Sequence, residues 1–307
     1  MPEFNTLQYQ VVDHVLTLTM NRPERLNAFN SEMQREFLEA LDHADQDDEI
    51  RAVIVTGEGR GFCAGADLAR GAETFDYDNQ DSDAQEERAS NEGRQEGENS
   101  WLRDGGGLLS LRIYEFNKPI IAAINGPAVG VGITMTLPMD IRMASSAARI
   151  GFVFSRRGIV PEACSSYFLP RAVGVSKALE WAYSGRVFDA QEAHEAGLVR
   201  SIHEPDELLP AAREVALEIA ENTSAVSVTM IRHMMWRMLG ADHPMEAHKI
   251  DSRGIYHLGQ GADAHEGVVS FLEKRPAAFT LKTSEDMPEF FPWCCLLYTS
   301  PSPRDRG

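Results

Sequence analysis

Asn125-Gly126-Pro127-Ala128-Val129-Gly130-Val131-Gly132 is an uncharged run of small residues between two apolar stretches, Ile120 to Ile124 and Val131 to Pro138. The first stretch reads as a buried strand and the second as a helix, so the glycines form a strand-to-helix turn. Another strand, Ile141 to Ala144, follows. Upstream the order repeats: the buried strand Ala52 to Thr56 enters the loop Gly57 to Gly61 and then Gly61-Phe62-Cys63-Ala64-Gly65-Ala66-Asp67-Leu68. Strand, turn and helix in repeated order point to an α/β core rather than a sandwich or a bundle.

Outward from these turns, Val15 to Thr19 alternates as a half-buried strand does, with Leu7 to Val11 as its hairpin partner. Ser31-Glu32-Met33-Gln34 has capping-box spacing, and Met33, Phe37, Leu38 and Leu41 recur at helical intervals behind it. Helical patterns at Glu207 to Glu221, Ser224 to Leu239 and Ala264 to Lys274 set a helical subdomain, 201–293, after a core of residues 1–200. Glu73 to Glu98 carries ten acidic residues and almost no aliphatic ones. It cannot bury enough apolar surface to offset its ordering, so residues 71–104 are expected to form a mobile insertion, either a lid or a plain solvated loop. Residues 295–307, from Cys295-Leu296-Leu297-Tyr298-Thr299, resemble a translated sequencing adapter and are set aside as a non-native tail.

The chain has 307 residues, 43% of them hydrophobic and 25% charged, which excludes disorder throughout. A formal net charge of −18 makes nucleic acid and anionic membrane surfaces poor partners. It also repels anionic small molecules, so an anionic ligand needs local cations; Arg22, Arg25, Arg60 and Arg70 flank the small-residue motifs. Cys63, Cys164, Cys294 and Cys295 show no CxxC pair, which suggests a reducing compartment and no structural zinc. His243 and His248 are spaced wrongly to share a helical face around a metal, and surface or capping roles suit them better. The N-terminus lacks a basic start with an apolar stretch, and Asn125-Gly126-Pro127 divides the uncharged segment Pro119 to Met139 into pieces too short to span a bilayer. A cytoplasmic location is expected.

Three places invite chemistry. The Ala64 to Leu68 turn offers close backbone approach and free N–H groups, or is only a tight turn. The Asn125 to Gly132 turn fails as a dinucleotide fingerprint because Met135 occupies the third glycine position. Two such turns together are more telling, since a thioester enolate needs two convergent N–H donors. In Gly158-Ile159-Val160-Pro161-Glu162, the apolar neighbours would desolvate the carboxyl and raise its pKa, as a proton-shuttling base requires. Alternatively Pro161 and Glu162 open a helix, whose dipole would lower that pKa.

In this order, with Met20-Asn21-Arg22-Pro23-Glu24-Arg25-Leu26-Asn27-Ala28 ahead of them and Ala196-Gly197-Leu198-Val199 behind, these motifs resemble the crotonase (enoyl-CoA hydratase/isomerase) superfamily. The resemblance spans about Asn5 to Trp293. It implies a crotonase-like spiral of ββα turns, a C-terminal helical region that builds a homotrimer or a hexamer, and an acyl-CoA thioester as substrate. No cofactor is held permanently; coenzyme A enters with the substrate. It further implies oxyanion donors at the N–H groups of Ala66 and Val131, and substrate or CoA contacts at Arg25, Asn27, Ala64, Asp67, Leu68, Gly130 and Pro161. The two glutamates of typical hydratases are replaced by Thr134 and Phe154, neither able to shuttle a proton. Pro161-Glu162-Ala163 instead is similar to the branch of 3,2-enoyl-CoA isomerases that moves the proton with one glutamate. The expectation is a 3-enoyl to 2-enoyl-CoA isomerase with Glu162 catalytic; the alternatives are a 2-enoyl-CoA hydratase and a non-catalytic acyl-CoA-binding protein.

Overall fold

The computed structural model describes residues 2–76 and 103–293. Most of the expected insertion, residues 77–102, and the tail lie outside the described residues. Strands β1 (Leu7–Val12) and β2 (Val15–Met20) form the expected antiparallel hairpin, turning through Asp13 and His14 at positive φ. Helix α1 (Ser31–Gln46) and β3 (Ala52–Gly57) come next. The cap of α1 is Asn30, whose side chain accepts from Met33 N–H at 2.9 Å. The capping box expected at Ser31 is therefore not used, because the neighbouring Asn supplies the acceptor one position earlier.

Helix α2 (Gly105–Glu115) is capped by Asp104 and leads into β4 (Ile120–Ile124) and the short β5 (Ala128–Val129). Helix α3 is only Val131–Thr134, and turns replace the expected continuation to Pro138. β6 (Ile141–Ser145), β7 (Arg149–Gly151), α4 (Ser165–Val173), α5 (Val175–Ser184), β8 (Val187–Asp189), α6 (Ala190–Glu195), β9 (Ser201–His203) and α7 (Leu208–Asn222) complete the order.

The main sheet runs β1-β2-β3-β4-β6-β9, parallel everywhere except the opening hairpin. Its central strands β3 and β4 are buried along their whole length, as parallel strands covered on both faces must be. A second sheet, β5-β7-β8, sits at the end of the small-residue turn. Ala212, Ala216 and Ala220 recur every fourth residue on α7, forming a smooth stripe packed with Val15, Ile54, Ile121 and Met143 of the sheet. Helices α1 and α2 are joined by Arg112, whose guanidinium pairs with Asp42 at 2.8 Å and Asp45 at 2.6 Å.

The chain divides into two compact units, the first ending at Glu221 and the second beginning at Asn222. Helix α7 thus falls with the first, although its composition groups it with the helices that follow. The second unit holds α8 (Ala225–Met238), α9 (Pro244–Leu258) and α10 (Ala262–Glu273), with α8 and α9 packed around Met230, Phe290 and Trp293. Helix α9 has Pro244 at its start, and His243 caps it by accepting from Met245 N–H at 3.1 Å. Among the described residues no helix is long and apolar enough to cross a membrane.

Candidate active site

The two small-residue turns lie together because their backbones are hydrogen-bonded to each other. Pro127 O accepts from Phe62 and Cys63 N–H at 3.1 and 3.0 Å, and Val129 N–H donates to Cys63 O at 3.1 Å. Glycine is required at two of the contacts: a Cβ on Gly132 would stand 2.1 Å from Cys63 O, and one on Gly65 2.8 Å from Val129 O. Gly65 also has φ +103°, a conformation that side chains disfavour.

This lacing leaves the N–H groups of Ala66 and Val131 without a backbone acceptor. Phe29 N–H donates to Gly65 O and Asp67 N–H to Phe29 O, both at 2.8 Å, a parallel bridge in which Ala66 directs its own N–H to the opposite side. In the second turn Gly130 N–H is held by Gly151 O at 2.9 Å. Val131 then opens α3, so its N–H precedes the helix's internal bonds. Ala66 and Val131 both line one cavity of about 910 Å³.

Glu162 lines the same cavity. It stands ahead of α4, which begins only at Ser165 after Ala163 and Cys164 at φ +52° and +57°. Glu162 is therefore not in the first turn of a helix, and the dipole-complementing alternative does not hold. Burial pushes its carboxyl up to about 7; the Thr134 hydroxyl, donating to Oε1 at 2.6 Å, works against that rise, and the charge of Asp104 adds to it. The other carboxylate oxygen rests on Gly106, where a Cβ would come within 2.7 Å of Oε2. Asp104 itself accepts from Gly107 N–H at 2.6 Å and Ala163 N–H at 3.1 Å, tying the start of α2 to the Glu162 segment.

Of the positions singled out in the sequence, Ala64, Ala66, Asp67, Leu68, Gly130, Val131, Pro161 and Glu162 line this cavity together. Two do not. Asn27 is fully buried, accepting from Arg22 N–H at 2.8 Å and donating to Gly61 O at 2.8 Å and Glu58 O at 3.0 Å. Its amide braces the loop before the first turn, which leaves it no hydrogen for a ligand. Arg25 is exposed and outside the cavity wall. Asp67 lines the wall with its carboxylate engaged by Arg22 at 2.9 Å. Arg22 and Arg70 are the flanking cations that reach the wall; Arg60 does not.

Sequence reasoning treated Thr134 as inert and passed over Asp104 and Gly106, three residues that surround the carboxyl of Glu162. A signal existed for Asp104, since Asp before Gly105-Gly106-Gly107 and an apolar run is an N-cap pattern. Phe154 is buried in the cavity wall and carries no ionisable group.

The sequence profile of the family described as enoyl-CoA hydratase/isomerase matches residues 11–282. The chain belongs to the enoyl-CoA hydratase/isomerase family. An enoyl-CoA hydratase of Alternaria alternata is 39% identical over 268 residues, 87% of this chain and 83% of that one. The 1,2-epoxyphenylacetyl-CoA isomerase of Escherichia coli K12 is 34% identical over 274 residues, covering 87% and 95%. The crystal structure of a probable enoyl-CoA hydratase/isomerase from Mycobacterium abscessus superposes with a TM-score of 0.78 at 28% identity, over 89% of this chain and 98% of the other. The family works on both sides of one chemistry, addition of water and movement of a double bond, so membership leaves the reaction to be argued from the cavity.

Proposed function

We propose that the protein is an acyl-CoA isomerase that converts a 3-enoyl thioester to its 2-enoyl isomer. Glu162, as carboxylate, takes a proton from carbon 2; the electrons pass into the thioester carbonyl, giving a dienolate whose oxygen rests on the N–H groups of Ala66 and Val131. The resulting carboxylic acid returns the proton to carbon 4, and the double bond reforms between carbons 2 and 3. The observation that carries the reading is the placement of Glu162. It stands in the cavity that Ala66 and Val131 line, its carboxyl pushed up to about 7, where it can give and take a proton near neutral pH. Its fellow wall carboxylates are engaged elsewhere: Asp67 by Arg22, Asp104 by two backbone N–H groups, and Glu32 by the Asn5 amide at 2.9 Å. One mobile proton suffices for isomerisation.

Supporting the reading, a relative at 34% identity is named as an isomerase of a CoA thioester. A hydratase is the second reading, favoured by the names of other relatives. It would need a group to hold water opposite Glu162. A homotrimer belongs to the same proposal. It is supported by the exposed apolar side chains Ile255, Tyr256, Val268, Phe271 and Leu272 on the second unit.

The deciding experiment offers 3-enoyl-CoA and 2-enoyl-CoA separately and follows the ultraviolet absorbance of the conjugated thioester, beside Glu162→Gln. Rising absorbance from the 3-enoyl substrate, lost in the variant, is expected. Falling absorbance from the 2-enoyl substrate, with no rise from the 3-enoyl one, would establish hydration instead.

A further inference from the structure

The two residues that follow Glu162, Ala163 and Cys164, both carry side chains and both sit at left-handed φ, +52° and +57°. Residues with side chains disfavour that region, and two in a row persist only where contacts around them hold the turn. From its far end the turn is closed by Ser165, whose N–H and hydroxyl both donate to Glu162 O, at 2.9 and 2.6 Å. These bonds are local. They do not fix where the turn stands relative to the cavity.

A residue 59 positions away does that. Ala163 N–H donates to Oδ1 of Asp104 at 3.1 Å, and the same oxygen accepts from Gly107 N–H at 2.6 Å. One atom thereby caps α2 and grips the turn beside Glu162. The start of α2 is packed directly on that turn: a Cβ on Gly106 would stand 3.1 Å from Ala163 Cβ and 2.7 Å from Glu162 Oε2. Ala163 is buried against it, and Asp104 and Glu162 both line the cavity.

Resting on the reading of Glu162 as the proton carrier, we propose that Asp104 is a positioning residue for that base: through its grip on Ala163 N–H it sets the strained turn that carries the Glu162 carboxyl into the cavity. It acts through Glu162 rather than on the substrate. Its charge has a separate effect. Burial is the main cause that pushes Glu162 up to about 7, and the negative charge of Asp104 adds to the rise. The other ionisable groups against Glu162 are the thiols of Cys63 and Cys164; burial raises both, Cys63 to about 12, so they are neutral near pH 7. The remaining charges of the wall, the Arg22 and Asp67 pair among them, are the same in every variant below. Removing the Asp104 charge alone therefore lowers the pKa of Glu162.

The test separates cap, grip and charge with two variants of the full chain. Asp104→Ser keeps a helix cap, but its side chain is one bond shorter and withdraws from Ala163. Asp104→Asn keeps an acceptor oxygen for both bonds and loses only the charge. Turnover is measured at the alkaline plateau, on whichever of 3-enoyl-CoA and 2-enoyl-CoA the wild type converts. Glu162 is titrated by its infrared carboxyl band, identified as the band absent from Glu162→Gln. We expect kcat to fall at least about ten-fold in Asp104→Ser with the melting temperature nearly kept, and Asp104→Asn to recover most of that loss. The Glu162 band should titrate at lower pH in Asp104→Asn than in the wild type, a shift that a merely structural residue would not cause. A kcat in Asp104→Ser within about two-fold of the wild type overturns the proposal. So does a loss that Asp104→Asn shares in full, a loss matched by a large fall in melting temperature, or an unmoved titration. Full turnover in Glu162→Gln overturns the reading of Glu162 itself, and the proposal with it.

Discussion

The Thr134 hydroxyl donates to Oε1 of Glu162 across 2.6 Å, binding helix α3, whose first residue lines the cavity, to the one carboxyl there that burial lifts to about 7. The bond stabilises the carboxylate form. Thr134→Val keeps the shape and removes the donor, so the pKa of Glu162 should rise by roughly one unit further. For a base this moves the rising limb of kcat/KM against pH to the alkaline side. Activity at pH 6 should fall about ten-fold while the alkaline plateau is kept. An unmoved profile would mean that the bond does not tune the base.

Glu162 also links pH to stability. Its folded value of about 7 lies above its ordinary 4.5, so the folded chain holds the proton more tightly than the unfolded one. The stabilisation is complete below about pH 4.5, fades between 4.5 and 7, and is absent above. Glu162→Gln ends this dependence. It should therefore abolish turnover and yet be more stable than the wild type at pH 8, by at most about 3 kcal/mol, with the gap closing near pH 4.5. Urea melts at the two pH values measure it.

Ala66→Pro deletes an N–H group that the lacing of the turns leaves without a backbone acceptor. That donor makes no bond within the fold, so circular dichroism should stay native while kcat falls about 100 to 1,000-fold. A loss of only a few-fold would remove Ala66 N–H from the oxyanion hole.

Gly106→Ala places a methyl 2.7 Å from Glu162 Oε2 and 3.0 Å from Val131 Cγ2, at a position without positive φ. The helix gains propensity while the carboxyl is displaced. The expected outcome is a kcat at least about ten-fold lower, with the affinity for a saturated acyl-CoA changed much less. Equal losses in both would point to a collapsed cavity.

Asn27→Ala separates bracing from ligand contact. It removes the three hydrogen bonds of a buried side chain at φ +56°, and should cost about 3 kcal/mol in urea unfolding. A raised KM at unchanged stability would return Asn27 to direct CoA contact.

The strands and turns were legible because their signals are local. β3 and β4 are short uninterrupted apolar runs, and the turns between strand and helix are marked by glycine. The partnership of Ala66, Val131 and Glu162 was legible only through the family pattern, since no single motif tells a donor turn from an ordinary one. What stayed hidden depends on contacts between distant segments. Thr134 and Glu162 are brought together by α3 being one turn long, and Asn27 looked like a ligand residue because its bonds reach to Glu58 and Gly61. Helix α9 escaped notice because its apolar residues are sparse and Gly254 interrupts them.

Gly105, Gly106 and Gly107 each give up a side chain to a different neighbour: the Gln34 amide, the Glu162 carboxyl and the Asp104 cap. For protein engineering this divides the cavity into a frozen sector and an adjustable one. Libraries randomising the three glycines should return almost nothing but wild type, whatever substrate is selected for. Diversity placed at Gln34, Leu108 or Val153, wall positions with side chains already present, is where new acyl preferences should emerge.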